Sequence, residues 1–506
     1  MKAHFQLSSS KKIFLNKVYL FKIILLGLFL AYNFSRFKNP SIFLLLAGSY
    51  LLLILGGLVL GGKIIRKPVL TPKARIFSTL NLFFFIFFVP VLTVLLKEAE
   101  PFLKYFIAII LLDILLPFIV AFFLAIITPL IDFQKNRIIK RAKEKMEGRR
   151  ENLLVIGITG SYGKTSTKEF LSEILSSRFR VCKTEENNNT EMGIAKTVLE
   201  KLNKNHEIFV VEMAAYKRGE IKKICNIVKP SVGILTGIGT QHFGLFGSQE
   251  NIIKAKYELI DSLPDRGLAV FNGDSNFFLD VYKKTKKPKK FYSLNNSSAD
   301  LHAKNIKEFE DGVEFTASDG KSEAEFKANL MGRQNISNIL GPLLVAKELG
   351  INWKDSAIYE IVRNFRPFPR TMELKIGVNG IVIIDDSYSG NYEGVISAIE
   401  YLKNYRDCKK IVVLYPLIEL GPISRDIHLK IGRKIGKICD MCILVNKDFA
   451  KEINQGAVES GMEERSIMVL EKPIEVVKQV KNFARKGDVV LLENRVPSEI
   501  ISSLTV

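Results

Sequence analysis

A glycine-rich stretch at residues 155–166, VIGITGSYGKTS, constrains the fold more than any other part of this sequence. Its branched apolar residues predict a short buried strand, and the KTSTKEFLSEILSS that continues it has the periodicity of a helix. Backbone N–H groups of a glycine-rich turn at a helix N-terminus can converge on phosphate oxygens. The stretch therefore predicts a nucleotide-binding loop.

The loop supplies several groups suited to a nucleotide triphosphate. Lys164 offers a point charge, and a hydroxyl at the next two positions can ligate Mg²⁺. A strict Walker A pattern would place glycine at position 158, where this chain has isoleucine, so the loop is a variant of that motif. The candidate nucleotide-contacting residues are Gly160, Ser161, Gly163, Lys164, Thr165 and Ser166.

Apolar runs of strand length recur throughout the last 350 residues and alternate with helical patterns. They are IFVVEMAA, SVGILTGI, LAVFNGD, GIVIIDDS, KIVVLYPL, CILV and DVVLLEN. Such alternation predicts an α/β protein with a doubly wound parallel sheet. We expect a P-loop type central domain at 151–368 and a smaller Rossmann-like domain at 369–506.

The first third of the chain has a different composition. Residues 1–150 hold 22 lysines and arginines against 6 acidic residues, whereas the remaining 356 residues hold 51 against 46. The net charge of +21 is thus concentrated around apolar segments, which is typical of membrane proteins and argues against a nucleic-acid partner.

Four apolar segments, near 18–34, 41–62, 77–96 and 105–131, approach or exceed the ~20 residues that cross a bilayer. Basic loops alternate with weakly charged ones, so both termini are expected on the cytoplasmic side. These patterns predict a four-helix transmembrane region at 1–132, a basic cytoplasmic linker at 133–150, and a multi-pass protein of the inner membrane.

Two further features allow a functional or a structural interpretation. Asp113 lies inside the fourth apolar segment, where an ionisable group is a functional candidate, although a neighbouring helix could also satisfy it. Cys439 and Cys442 have the spacing of a metal or redox pair. No second pair accompanies them, and their flanks read as a buried strand, which favours core thiols.

Several segments in chain order resemble the Mur ligase family, and its MurF-type branch most closely. They are TGSYGKTS, NNNTEMGI, VVEMAA, GIGTQHFGLFGS, IIKAKYELI, GRQNISNILGPLLVAKELGI, IVIIDDSYSGN and PLIELGPISRDIHLKIG. The resemblance implies an ATP-dependent amide ligase of cell-wall biosynthesis, which forms an acyl phosphate on a precursor carboxylate and joins an amine to it. ATP and two Mg²⁺ ions are the implied cofactors.

The same resemblance implies roles for individual residues. Lys164 would hold the β- and γ-phosphates, while Thr165 and Glu212 would ligate the first Mg²⁺. His242 would serve the second ion, together with Lys256, which matches a lysine that is carbamylated in the family. A carbamate turns a cation into an oxygen ligand.

Other matching positions belong to the nucleotide and to domain closure. Asn335 and Asn338 match adenine-side asparagines, and Asp386 matches a ribose-side aspartate. Arg370 matches a γ-phosphate arginine if one residue is inserted before it. Asn272 and Asp274 resemble another family segment, where a nucleotide role and a strand-end turn are both open.

The chain departs from the family at Gln334, at SGNYEG, and at Glu493–Arg495, and no UDP-gripping domain is recognisable. The expected partners are therefore ATP, a soluble or lipid-linked wall precursor, an amino acid or D-Ala-D-Ala, and membrane lipid. If the precursor is held in the membrane, an apolar first third of the chain would place the enzyme in the same membrane and so raise the effective concentration of that substrate. A folylpolyglutamate or cyanophycin synthetase-like ligase and a silent nucleotide-binding scaffold are the alternatives.

Overall fold

The computed structural model describes residues 79, 91, 94, 101–185, 188–275, 277–388 and 390–506. The chain divides into two compact units, Met1–Lys135 and Asn136–Val506. The second unit contains every predicted nucleotide and metal residue, and it is built on two β-sheets.

Helix α1, Pro101–Glu147, is 47 residues long and includes the fourth predicted membrane segment. Within the described ranges, Phe118–Glu147 is the one helical stretch that is long and apolar enough to cross a membrane by length and composition. The other three predicted segments fall outside the described residues apart from isolated positions. A four-helix membrane region is therefore not confirmed, and the side chain of Asp113 lies outside what the structure describes.

The predicted linker at 133–150 is helical as far as Glu147. Its apolar residues Ile139, Ala142 and Met146 are buried in a core cluster of the second unit. Lys145 donates a hydrogen bond to the carbonyl of Leu199. This end of α1 thus packs as part of a domain.

The first sheet has nine strands in the order β2-β3-β1-β4-β5-β6-β7-β8-β9. Its first seven strands pair in parallel, and β8 and β9 continue it antiparallel. The strands are β1 Leu154–Thr159, β2 Val181–Lys183, β3 Ile208–Glu212, β4 Val232–Leu235, β5 Leu268–Asn272, β6 Lys289–Ser293, β7 Leu301–Glu308, β8 Val313–Ser318 and β9 Glu323–Ala328.

Helices cover both faces of this sheet, as the alternation of patterns predicts. On one face, Ile156 and Ile158 pack with Phe170 and Leu340, and on the other, Val155 packs with residues of the opposite helices. The helices are α2 Lys164–Ser176, α3 Glu191–Glu200, α4 Glu220–Val228, α5 Phe243–Phe246, α6 Gln249–Asp261, α7 Phe278–Lys284, α8 Arg333–Glu348 and α9 Ser356–Arg363.

The second sheet has six strands in the order β10-β11-β15-β12-β13-β14, of which only the edge strand β10 is antiparallel. The strands are β10 Glu373–Ile376, β11 Val382–Asp386, β12 Lys410–Leu414, β13 Met441–Leu444, β14 Ile467–Val469 and β15 Val489–Glu493. The helices are α10 Tyr392–Tyr401, α11 Ser424–Ile438, α12 Ala450–Glu459, α13 Pro473–Phe483 and α14 Ser498–Leu504.

Each apolar run that predicts a strand forms one in the structure. Cys442 lies in β13, and both it and Cys439 are buried free thiols. Burial raises the pKa of Cys442 to about 12, which disfavours the thiolate that a metal or redox pair requires. The core interpretation of these two cysteines is therefore the better one.

Helices α11 and α12 approach each other through glycines. A Cβ atom on Gly456 would lie 2.2 Å from the carbonyl oxygen of Leu429, and one on Gly432 would lie 2.2 Å from that of Ile453. Because these neighbours are backbone atoms, neither helix can yield without shifting as a whole. The close approach of these two helices depends on glycine, which has no side chain, at both positions.

We expect Gly456→Ala to reduce the free energy of unfolding by about 1–3 kcal/mol through overpacking. Equilibrium denaturation in urea measures this loss. Gly394→Ala is the matched control, because its Cβ would meet only ordinary contacts at 3.5 Å or beyond in helix α10. Equal stability of the two variants would contradict the proposed packing role.

Candidate active site

The glycine-rich loop lies between β1 and α2 and is held against the segment that follows β4. Ser161 donates its backbone N–H to the carbonyl of Gly237 at 2.6 Å. Thr236 donates its hydroxyl to the carbonyl of Tyr162 at 2.6 Å. These bonds hold the loop at the carboxyl edge of the sheet, where ligands bind in open α/β folds.

Two glycines in the loop occupy positions where a side chain would not fit. Gly163 has φ 77°, a left-handed conformation that favours glycine, and its Cβ would lie 2.5 Å from the Oδ1 atom of Asn338. A Cβ on Gly160 would lie 2.0 Å from the hydroxyl of Thr236. The loop is therefore shaped as a backbone cradle, as phosphate binding requires.

Glu212 ends strand β3 directly beside this loop. One of its carboxylate oxygens accepts a hydrogen bond from the Thr165 hydroxyl at 3.0 Å, and the other accepts one from the Asn189 amide at 3.0 Å. Its side chain is almost fully buried. The structure thus brings together the two residues predicted to ligate the first Mg²⁺.

Lys256 is buried on helix α6, with 4% of its surface exposed. Burial lowers the pKa of its amine and the positive charge of Lys164 adds to this shift, so that the pKa is about 7 although nearby carboxylates oppose the change. Burial also lowers the pKa of Lys164, against the opposing effect of Glu212. The mutual electrostatic effects place these three residues in one cluster.

His242 precedes the short helix α5 in a left-handed conformation with φ 62°. Its Nδ1 atom lies 2.5 Å from the Oε2 atom of Glu419, and its ring packs at 4.7 Å from that of Tyr216. Burial lowers the pKa of His242, the Glu419 carboxylate opposes this, and Lys256 and Lys164 add to it. The histidine is therefore close to both lysines.

The domain built on the second sheet contacts the loops around this cluster. Glu393 accepts a hydrogen bond from the backbone N–H of Thr240 at 3.2 Å. Ser397 donates its hydroxyl to the side-chain oxygen of Gln334 at 3.2 Å. The candidate site is therefore bounded by both sheets of the second unit.

The predicted adenine-side asparagines lie at the start of helix α8. Asn335 donates to the carbonyl of Met331 at 2.9 Å, and Asn338 donates to the Asn335 side chain at 3.3 Å. Asp274 caps the turn after β6 by accepting bonds from Ser293 and from backbone N–H groups. Its contacts favour the strand-end turn among the two roles open to it.

Asp386 ends β11 beside Glu493, which ends β15 in the paired register. Burial raises the pKa of Asp386 to about 7, although the N–H of Met372 donates to it at 3.1 Å. Burial and the neighbouring Asp386 raise the pKa of Glu493 well above its usual range. Each of these two buried carboxyl groups therefore disfavours ionisation of the other.

Arg370 has φ 63° and turns its guanidinium toward its own domain. The guanidinium donates to the hydroxyl of Ser387 at 2.8 Å and to the carbonyl of Val496 at 3.2 Å. Its contact with the γ-phosphate stays a prediction.

The residues around the loop suit Mg²⁺, although no group of three His, Cys, Asp or Glu side chains able to hold a metal occurs in the described part of the chain. Magnesium retains several waters and takes substrate phosphates as ligands, so one carboxylate and one hydroxyl suffice as protein ligands. Glu212 and Thr165 provide that pair.

Some contributors to the site are not recognisable in the sequence. Glu419 and Glu393 reach the cluster from the second sheet's domain, and Lys168 reaches Glu212 from inside helix α2. The roles of Glu393 and Lys168 arise from contacts between distant segments and have no local signal. Glu419 and Asn189 do lie in segments that resemble the family, PLIELGPISRDIHLKIG and NNNTEMGI.

Comparisons with known proteins place this site in a family. Residues 158–346 match the Mur ligase middle domain, and residues 371–493 match the Mur ligase, glutamate ligase domain. A Synechocystis UDP-N-acetylmuramoyl-tripeptide–D-alanyl-D-alanine ligase is 30% identical over 67% of this chain and 71% of its own length. The Bacillus subtilis ligase of the same name is 29% identical over 67% of this chain and 72% of its own length.

Solved structures agree with these matches. The MurF ligase from Thermotoga maritima in complex with ADP has a TM-score of 0.64 and 26% identity, covering 73% of this chain and 82% of its own. MurF from Acinetobacter baumannii shares the fold, with a TM-score of 0.64 over 71% and 78% of the two chains. The chain belongs to the Mur ligase family and is an ATP-dependent peptide ligase that uses ATP and Mg²⁺.

The predicted multi-pass membrane location is wrong. The finding that overturns it is that the chain's relatives are ligases of the MurF type, and one helical stretch in the described residues has membrane-spanning length. The prediction relied on hydropathy and charge alone.

We expect Gly163→Ala to weaken ADP binding at least about tenfold, because the left-handed backbone costs ~1–2 kcal/mol and the new Cβ displaces Asn338. Isothermal titration calorimetry measures the dissociation constant. Gly219→Ala is the control, since Gly219 has φ 87° but open space around its Cβ position. Unaltered ADP affinity in the Gly163 variant would contradict the cradle.

We expect Lys256→Met to raise the free energy of unfolding most below pH 7 and progressively less as the pH rises toward 10.5. Below pH 7 the folded protein holds a buried charge, whereas between these values only the unfolded chain keeps the proton. Denaturation between pH 6 and 9, without metal and carbon dioxide, measures this. The exposed Lys254→Met variant should show no such trend, and a pH-independent Lys256 effect would contradict the lowered pKa.

Proposed function

We propose that this ligase activates a carboxylate of a cell-wall precursor peptide as an acyl phosphate and joins an amine to it. The observation that carries the proposal is the convergence of the phosphate loop, the Thr165–Glu212 pair, His242 and Lys256 at one edge of the first sheet. A reaction between two anions needs this concentration of positive charge.

The loop has the binding role in this proposal. Backbone N–H groups of the loop between Gly160 and Gly163 face the phosphates, apart from that of Ser161, which is bonded to Gly237, and Lys164 neutralises the β- and γ-oxygens. The γ-phosphoryl group passes to the substrate carboxylate, which leaves ADP. The amine then attacks the acyl carbon, an amide bond forms, and phosphate and a proton are released.

Four residues are the proposed metal ligands. Thr165 and Glu212 hold one Mg²⁺, with the Ser166 hydroxyl next to them. His242 and a carbamylated Lys256 serve a second. Carbamate formation requires a neutral amine, because the Nζ lone pair attacks carbon dioxide and a proton is lost, and a pKa of about 7 supports this modification at Lys256. The ions neutralise phosphate oxygens when bound.

The base and ribose are assigned to the domain boundary. Asn335 and Asn338 take the adenine side, next to the loop at Gly163, and Asp386 takes the ribose hydroxyls. Arg370 is proposed to exchange its bonds to Ser387 and Val496 for the γ-phosphate as the domains move. Residues 151–368 and 369–506 are the proposed catalytic domains.

The substrates are proposed from the relatives' names: a UDP-N-acetylmuramoyl tripeptide as the carboxylate and D-alanyl-D-alanine as the amine. The matching residues surround the reacting phosphates, which all members must bind. Specificity for the amine belongs to the second sheet's domain, where Glu493–Arg495 replace the family pattern. The identity of the precursor that supplies the carboxylate and the identity of the amine are therefore proposed separately.

The test is ATP-dependent phosphate release by the purified full chain. D-alanyl-D-alanine and single amino acids are supplied in turn, each with UDP-linked tripeptide and Mg²⁺. We expect release only with the dipeptide, and a loss of about 100-fold or more in Lys164→Ala, which lacks the charge that stabilises the transferred phosphoryl group. Lys254→Ala, an exposed lysine of α6, is the control.

Two results would contradict the proposal in different ways. Release that requires another amine would overturn the substrate assignment but keep the ligase chemistry. Release that persists in Lys164→Ala would overturn the role of the loop lysine.

A further inference from the structure

Lys168 is a buried lysine that the proposed reaction does not use. It lies on helix α2, one turn after Lys164, and its side chain is 0% exposed. Burying an ammonium group costs several kcal/mol unless opposite charges compensate it. A methionine of similar length would fill the same space without that cost, so the charge itself needs an explanation.

Two carboxylates face this ammonium group. Its Nζ atom lies 3.1 Å from the Oε1 atom of Glu169 and 3.6 Å from the Oε2 atom of Glu212. Among the described residues these are the carboxylates that form ion pairs with it. Lys183 pairs with the other oxygen of Glu169, so four charges alternate in sign from the surface to Glu212.

The contact with Glu212 is directed at one particular oxygen. The Oε2 atom that Lys168 approaches also accepts the hydrogen bond from Thr165, whereas Asn189 holds Oε1. Two hydrogen bonds and one ion pair thus meet at this carboxylate, and the ion pair lies on the same oxygen as the Thr165 bond. Lys168 contributes the only one of these three contacts that carries a charge.

We propose that Lys168 is a positioning residue that holds Glu212 beside Thr165 and so prepares the magnesium site before nucleotide binds. The inference rests on the proposed metal role of Glu212. Lys168 itself faces the carboxylates and needs no contact with substrate. A carboxylate that is already oriented loses less conformational freedom when it takes a ligand.

The test measures ADP binding by calorimetry with and without Mg²⁺. In the wild-type protein Mg²⁺ should tighten ADP binding, and in Lys168→Met this tightening should shrink at least fivefold. Affinity without Mg²⁺ should stay within twofold, because the phosphate loop is unaltered. If Lys168 has a purely structural role, Lys168→Met lowers the midpoint of unfolding but leaves the ratio of the ADP affinities with and without Mg²⁺ unchanged.

Three further variants sharpen the result. Lys168→Arg keeps the charge and should retain at least half of the magnesium effect. Lys183→Met removes the outermost charge of the same series and should behave as wild type. In Glu169→Gln, Lys168 keeps its ion pair with Glu212 and loses the one with Glu169, so the magnesium effect should also be kept. This variant provides a test if Lys168→Met does not fold.

The outcomes separate this inference from the proposed function. The inference is overturned if Mg²⁺ tightens ADP binding in Lys168→Met as much as in the wild-type protein, or more. It is also overturned if Glu169→Gln loses this tightening. If Glu212→Gln also retains the full effect, the proposed metal role of Glu212 fails. If Glu212→Gln loses it and Lys168→Met retains it, only the positioning role fails.

Discussion

The parallel register of the first sheet is the constraint on which the rest of the site depends. Strand β1 pairs with β3 and β4 so that Ile158 lies opposite both Glu212 and Ile234. The glycine-rich loop, the carboxylate and the Thr236 segment therefore leave the sheet at the same edge. Because parallel strands end together, groups 50 to 80 residues apart in the chain form one cluster.

The second determinant of the site is the set of charges around Glu212. Lys168 forms an ion pair with Glu212, and Lys164 and Lys256 lie within electrostatic range of it, so three amines surround a single carboxylate. Such a site is costly to bury, and it is useful only where anions must be bound and brought together. Burial is the main cause of the lowered pKa of Lys256, and the charge of Lys164 adds to it.

The domain built on the second sheet completes the site without supplying the loop. Glu419 contacts His242, and Glu393 contacts the segment after β4, so groups from both domains meet around the position proposed for the phosphates. Movement between the domains would break these contacts together. Substrate-induced closure of this kind commonly assembles ligase and kinase sites.

The α/β alternation, the strands, the phosphate loop and the residues that match the family are predictable from the sequence, because they depend on short-range periodicity and local motifs. The prediction of location was misled, because it was based on hydropathy and flanking charge alone. The folded structure is needed to show that Lys168 and Asn189 contact Glu212, that Glu419 contacts His242, and that Arg370 binds Ser387. Those contacts join residues distant in the chain, and only the folded sheets bring them within bonding distance.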